Sequence, residues 1–418
     1  MTTPNGRNPE GIRRYNLGLI LRAIHRAPGI SRHRLAVLTN LTKATISDVV
    51  NVLEEIGLVR VSGEGESSAR GGRKPVMLET IPNSAVAIGV DIRRELVSAV
   101  MVDLQARMLA KETNLVKRGD EKATILMSIE SCVRAVLKKK PKHVRLLGIG
   151  VGAPGPLDAS LGRVFEPPDF GTFRNVDLTE WISERLQTKV ILSLGAAAGA
   201  MGEYCSRRDL SEPCDDIAFV EIDLGIGLGF VVNGRVIYGN GRKAAGEIGH
   251  TVIEVDGKEC SCGRKGCLYR YGSGMAVLDE VMEGQVLKQR ESPANLRQNG
   301  EKLIEAVYEA RNGNKEYDKA FRRAARYLGI GLMNVDSLLS PSLVVIGSSI
   351  DGLADLYLHH VRESLQDFEV DDGSLRQRLR LSKYGENSIS MGAAHTVLES
   401  FFSDPKKTLE ILQDVAFR

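Results

Sequence analysis

With 418 residues, 43% of them apolar, the chain is long enough for two or three domains with sizeable cores. No apolar run approaches the roughly 20 residues that span a bilayer, and the polar stretch from Met1 to Arg14 lacks the apolar segment of a secretory signal, so a cytoplasmic chain is expected. Charge is uneven: residues 1–82 carry 12 Lys and Arg against 7 Asp and Glu, or +5 in a chain of net +3, which fits a phosphate-binding head on a mildly acidic body as well as a merely solvated basic surface.

In chain order, Leu17, Ile20, Leu21 and Ile24 recur at helical spacing and predict a helix over 12–26, ended by Pro28-Gly29. Ser31 is a good N-cap for a second helix carrying Leu35, Ala36 and Leu38. Asn40-Leu41 turns the chain. Thr42 then caps a third helix whose inward face is Ile46, Val49, Val50, Leu53 and Ile56, and Gly57 stops it. Short strands at 58–62 and 75–78 flank a polar loop at 63–74. Three helices and a hairpin predict a winged helix-turn-helix over 1–82, a separate module with its own core. Spacing, caps and wing agree against the rival, a helical bundle with a loose basic loop.

Such a head sets its third helix in the major groove of double-stranded DNA. Lys43, Ala44, Thr45 and Ser47 then reach base edges or phosphates. Ser31 and Arg32 open the second helix, where amides and a cation suit a phosphate. The cationic wing Arg70-Gly71-Gly72-Arg73-Lys74-Pro75 offers Arg70, Arg73 and Lys74 to a narrow, A·T-rich minor groove.

After Pro82 the pattern changes. Strands are predicted at 85–91, 96–104 and 107–115, then a helix at 122–139 and a buried strand at 146–151. A second set of three follows at 217–223, 227–233 and 235–239, with helices and another buried strand at 343–346. Each set opens with an apolar strand ending in aspartate, Asp91 and Asp223. Strands giving way to alternating helix and strand, twice over, predict an α/β body of two related lobes, 83–205 and 206–418, with a cleft between them. That is the architecture of the actin-like ATPase (ribonuclease H-like) fold.

Three of the six cysteines fall within eight residues, too bunched for a disulfide framework. Cys260, Cys262 and Cys267 share one glycine-rich loop, and His250 comes just before it. Three thiolates and one imidazole predict a closed, structural zinc site. The metal shell would also orient the neighbouring Glu247. Cys132, Cys205 and Cys214 are expected to be inert.

These motifs identify a family. The chain resembles the ROK family of repressors, open reading frames and sugar kinases over nearly its whole length. The resemblance is carried by Ser31-Arg32, Gly71-Gly72-Arg73-Lys74-Pro75, Gly152-Ala153-Pro154-Gly155-Pro156, Ala245-Gly246-Glu247-Ile248-Gly249-His250 and Cys260-Ser261-Cys262-Gly263-Arg264-Lys265-Gly266-Cys267-Leu268. Winged heads belong to the repressors of such a family and are generally absent from its kinases. The resemblance implies a sugar site with Glu247 and His250 in it, and the same His-Cys-Cys-Cys metal set.

The departures matter as much. The opening Asp-Gly-Gly-Thr-like phosphate turn is here Asp91-Ile92-Arg93-Arg94, without the glycines that let amides approach phosphate. The second turn, usually Gly-Thr-Gly-Ile-Gly, is Asp223-Leu224-Gly225-Ile226-Gly227. In the small-residue frame from Leu194 to Glu203, the Asn-Asp pair that holds and deprotonates a sugar is Leu194-Gly195, and Gly195 cannot be a general base. Tyr269 replaces the glutamate that often follows the zinc cysteines, leaving Glu247, His250 and Tyr269 as the candidate ligand site. No ATP use and no catalysis are expected.

The resemblance therefore implies a transcriptional regulator, a repressor of carbohydrate-related genes. A homodimer or higher homo-oligomer would bind a pseudo-palindromic operator and be controlled by a sugar or sugar-derived effector in the cleft. A regulator without a small-molecule effector, controlled by a protein partner, is the alternative that the half-erased sugar site keeps open. A sugar kinase is the reading it disfavours.

Overall fold

The computed structural model of the chain describes residues 9–65, 74–93, 96–116, 122–167, 170, 172–207, 214–240, 243–284, 293–368 and 374–403. Local signals set the head. α1 (Pro9–Arg26) buries Leu17, Ile20, Leu21 and Ile24. β1 (Ile30–Ser31) leads into α2 (Arg32–Thr39), where Ser31 Oγ accepts from the Arg34 amide at 3.2 Å. α3 (Lys43–Glu55) starts on Thr42, whose Oγ1 accepts from the Thr45 amide at 3.2 Å. β2 (Val59–Glu64) and β3 (Val76–Thr80) pair antiparallel as the wing, and β1 adds to β3 as a third strand absent from the sequence reading. Of the apolar residues carried by α2, Leu38 is 65% exposed. α2 is only two turns long and buries a stripe one residue wide, at Leu35.

The first lobe is a meander followed by parallel additions. β4 (Ala85–Ile92), β5 (Leu96–Asp103) and β6 (Met108–Leu115) run antiparallel. α4 (Lys122–Lys138) covers them with Ile125, Ile129, Val133 and Val136. β7 (Arg145–Ala153) returns parallel to β4. β8 (Leu157–Asp158), β9 (Arg163–Val164) and β10 (Val176–Asp177) form a small sheet before α5 (Leu178–Leu186). β11 (Val190–Leu194) then joins β7 in parallel and runs straight into α6 (Gly195–Arg207).

The second lobe repeats the plan. β12 (Ile217–Ile222), β13 (Ile226–Val232) and β14 (Arg235–Val236) form the meander. The hairpin of β15 (Gly239–Asn240) and β16 (Lys243–Ala244) precedes the cysteine loop. Next come α7 (Tyr269–Gly272), α8 (Gly274–Val281), α9 (Pro293–Arg311) and α10 (Lys315–Leu339). β17 (Leu343–Gly347) lies parallel to β12. After α11 (Leu353–Leu365) and α12 (Ser374–Arg378), β18 (Leu379–Leu381) lies parallel to β17. α13 (Ser388–Ser403) ends the described chain. The sheet orders are β11-β7-β4-β5-β6 and β18-β17-β12-β13-β14, one topology used twice, as the two predicted sets of strands require.

α6 and α13 pack together, α13 lying on β4 and β7 and α6 on β12 and β13. Their backbones meet: a Cβ on Gly392 would run into the Ala198 carbonyl, and one on Gly89 into the Ser390 carbonyl. The head is not closed on itself. Leu17, Ile20, Leu21 and Ile24 belong to one apolar cluster with Ala85, Val100, Val102 and Leu147 of the first lobe and Val397, Phe401 and Phe402 of α13. Arg145 donates to the Ile56 carbonyl at 3.2 Å across the same junction. The separate core expected for the head is thus a shared one, because the apolar face of α1 packs on α13 as well as on α3.

Candidate functional site

The cysteine loop is shaped by short pairings. Val252 bridges to Cys267 and Glu259 to Lys265. Gly266 has φ +70°, and a Cβ there would strike the Glu254 carbonyl, so the tight return of the chain needs glycine. The fold brings together His250, Cys260, Cys262 and Cys267, their donor atoms all within 4.8 Å of one another. Cys260 Sγ lies 3.6 Å from His250 Nδ1, and Cys262 Sγ lies 3.6 Å from Cys267 Sγ. Donors bonded at about 2.0–2.3 Å to one tetrahedral ion stand roughly 3.3–3.8 Å apart, so the set fits a metal ion. Burial, then the thiols of Cys262 and Cys260, push the Cys267 thiol up to about 12.

The other candidate ligand residues surround the same loop. Glu247 is exposed at the head of the single turn Ile248–His250. Its Oε1 lies 3.7 Å from where a Cβ on Gly155 would sit, facing the Gly152–Pro156 segment of the first lobe. Leu194 Cδ2 closes on the same Gly155 position at 2.8 Å. Tyr269 opens α7 with its ring 6.2 Å from that of His250. Gly155, Leu194 and Glu247 therefore come together from the two lobes, and Tyr269 stands beside His250.

At the position of the missing base, the structure holds something the sequence reading did not single out. Glu221 is the penultimate residue of β12, opposite Gly227 of β13. Its Oε2 lies 3.7 Å from the Cβ position of Gly195 and 3.7 Å from that of Gly227. The signal was there: one charge in the otherwise apolar Ile-Ala-Phe-Val-Glu-Ile strand, in register with a glycine. Burial first, then Asp223, push the Glu221 carboxyl up to about 8, against the pull of Arg93.

The two departures from phosphate turns meet beside it. Arg93 Nε lies 2.7 Å from Asp91 Oδ2, too far off axis for a hydrogen bond, and Asp91 Oδ1 has no hydrogen-bond partner. Arg93 also reaches 3.9 Å from Asp223 Oδ2, which joins the first lobe to the second. Asp223 itself is held by the Ser348 hydroxyl at 2.7 Å, the Ser349 amide at 2.9 Å and the Ser349 hydroxyl at 2.6 Å. Burial raises the Asp91 carboxyl, with Arg93 opposing. Carboxylates and a guanidinium thus occupy the ends of β4 and β12.

On the head, Lys43 and Ala44 are exposed at the start of α3, with Thr45 and Ser47 half-buried. Thr45 is partly used by the cap, its Oγ1 lying 2.9 Å from Thr42 Oγ1. Ser31 is occupied as the N-cap of α2. Arg32 pairs with Glu54 of α3 at 3.0 Å, tying the two helices of the motif together. Lys74 is exposed at the foot of β3. Arg70 and Arg73 lie outside the described residues.

Head, repeated lobes and cleft define a class: a winged helix-turn-helix joined to a body of sugar-kinase type. The chain belongs to the ROK family, whose profile matches residues 87–400, while a MarR family profile matches residues 18–74. It is 26% identical over 401 residues to the xylose repressor of Caldicellulosiruptor bescii, covering 94% of this chain and 98% of that one. It is 28% identical to the xylose repressor of Bacillus spizizenii, across 93% and 96% of the two chains. It is 26% identical to the N-acetylglucosamine repressor of Escherichia coli O157:H7, across 83% and 84%. Among solved structures, a ROK family transcriptional regulator homologous to the E. coli MLC protein superposes with a TM-score of 0.75 at 22% identity, covering 96% of this chain and 99% of that one. A ROK family glucokinase from Streptomyces griseus superposes at 0.61 and 24% identity, covering 75% and 99%. Both show the fold. No helix among the described residues is long and apolar enough to cross a membrane.

Proposed function

We propose that the chain is a DNA-binding transcriptional repressor of sugar-metabolism genes, working as a homodimer and released or tightened by a sugar-derived effector in the interlobe cleft. The observation that carries this is the joining of a winged head to a sugar-kinase-like body whose base position is Gly195 and whose phosphate turn is filled by Asp223. Full-length relatives with both parts are named repressors.

In this reading Lys43, Ala44, Thr45 and Ser47 meet the major groove, while Arg70, Arg73 and Lys74 meet the minor groove. Glu247, His250 and Tyr269 face the effector. His250, Cys260, Cys262 and Cys267 hold a structural zinc ion, which braces the loop carrying those residues and supplies no open coordination position. ATP is not a ligand, and the chain is not an enzyme. Arg93 and Asp91 stand where amides would have to approach phosphate.

The test is a titration of the full-length protein onto its own upstream DNA with and without a panel of neutral sugars. Retarded DNA whose affinity shifts with one sugar supports the reading. Tight DNA binding indifferent to every sugar favours control by a protein partner, and no DNA binding overturns both.

A further inference from the structure

We propose that Glu221 reads the effector, its carboxyl group hydrogen-bonding a hydroxyl of an uncharged, unphosphorylated sugar that lies over Gly195. The inference rests on the effector reading above and names the ligand class.

Glu221 is placed to do this by its strand. Val220 and Ile222, on either side, point into the core of the second lobe, so the alternation of β12 turns Glu221 to the opposite face, towards α6. There it meets two glycines, Gly195 and Gly227, each 3.7 Å from Oε2 at the position a Cβ would take. The carboxyl therefore lies in van der Waals contact with the place a side chain at 195 would start from, but reaches it from the other lobe. Glu221 makes no hydrogen bond among the described residues. A half-buried carboxyl without a partner, where the two lobes meet, has its hydrogen-bonding capacity open to a ligand.

The charged groups facing it are Asp223 two residues along the same chain, and Asp91 and Arg93 from β4. α6 and β13 bring the glycines Gly195 and Gly227 to the contact. Burial first, then Asp223 and Asp91, hold the group up at about 8 against Arg93. At neutral pH it is mostly the acid, which donates as well as accepts and cannot serve as a general base. A sugar hydroxyl matches both capacities.

A phosphoryl group does not. Its neighbours would be the acidic side chains of Asp91 and Asp223 and the mostly protonated carboxyl of Glu221, none of which offers it positive charge. Among the described residues, the neighbouring cations are engaged: Arg93 by Asp91 at 2.7 Å and by the Glu386 carbonyl at 3.1 Å, and Lys111 by Glu386 Oε1 at 2.6 Å. Placing a dianion there meets the Asp223 carboxylate with no cation to spare among the described residues.

The experiment is calorimetric titration of the full chain, between pH 6 and about 9.5, with xylose, glucose, N-acetylglucosamine, glucose 6-phosphate and N-acetylglucosamine 6-phosphate. The expected result is binding of a neutral sugar that holds below pH 7 and weakens roughly tenfold or more through pH 9.5, as the acid is lost. Glu221→Gln, which keeps a donor and an acceptor, is expected to bind within about threefold of wild type and to lose that pH dependence. Glu221→Ala is expected to bind at least about tenfold more weakly, with unchanged melting temperature. A phosphorylated sugar binding more tightly than its parent, or a Glu221→Gln profile still falling with pH, overturns the role of Glu221 while leaving the effector reading in place. Absence of binding by every sugar overturns the effector reading and this role with it.

Discussion

The imidazole of His25 lies flat on the ring of Phe402, with centroids 3.8 Å apart and planes inclined by 10°. His25 closes α1 of the head, and Phe402 lies near the end of α13, whose other end carries Ile389 beside Gly195. One helix of 16 residues, about 24 Å long, therefore joins the floor of the cleft to the DNA-binding module.

Phe402→Ala removes both that stack and a fully buried side chain of the shared cluster. It is expected to cost about 3–5 kcal/mol, and to lower the melting of the head and the first lobe together. Calorimetry that finds a head transition untouched by the substitution would show the two cores to be independent.

Lys43→Ala takes a cation from the exposed start of α3 without disturbing the Thr42 cap. DNA affinity is expected to fall about evenly across sequences, with the salt slope reduced by about one. Arg73→Ala is expected to cost about 1–3 kcal/mol and to weaken A·T preference. Arg32→Ala should act differently, by loosening α2 from α3 through the lost Glu54 pair, and so should change helix stability before phosphate binding. Gel-shift titrations over a salt series separate the three.

Gly195→Asp puts a carboxylate back at the family's base position and is expected to yield no sugar-dependent ADP release. Its Cβ would lie 3.1 Å from Ile389 Cδ1 and 3.7 Å from Glu221 Oε2, so the new acid meets crowding. Asp223 would still fill the phosphate turn, held by Ser348 and Ser349. Coupled-assay turnover above a heat-killed control contradicts this.

Cys260→Ser is expected to drop zinc from about one ion per chain towards zero, and to lower the melting temperature by several degrees. The substitution should also weaken effector binding, because His250 and Glu247 sit on the turn that the metal set anchors. Elemental analysis of wild-type protein purified without chelator checks the assignment directly, and finding no zinc removes it.

Much of this was legible in the residues because the signals were local. Ser31 and Thr42 announced their helices by their capping hydroxyls, and the repeated strand sets ending in Asp91 and Asp223 announced two lobes. The cysteine spacing announced its cluster. What escaped depended on pairings far apart in sequence. Glu221 gains meaning only when β12 meets Gly227 and α6 meets it with Gly195. The fusion of head and body cores needs Phe402 to fold back on His25 across the whole chain. The exposure of Leu38 was not legible either, because a helical stripe tells which residues share a face, not how much of that face a two-turn helix covers.

The backbone-to-backbone seating of α13, with Gly392 against Ala198 and Gly89 against Ser390, has a mechanical consequence. Most packed helices rest on a cushion of side chains that can change rotamer and soak up a displacement. At these points α13 has no such cushion. A shift of one lobe against the other is then passed on as rigid motion, with little slack between input and output. In the proposed homodimer, a small displacement over Gly195 would turn the helix whose far end packs on the head, and would so change the spacing of the two reading helices.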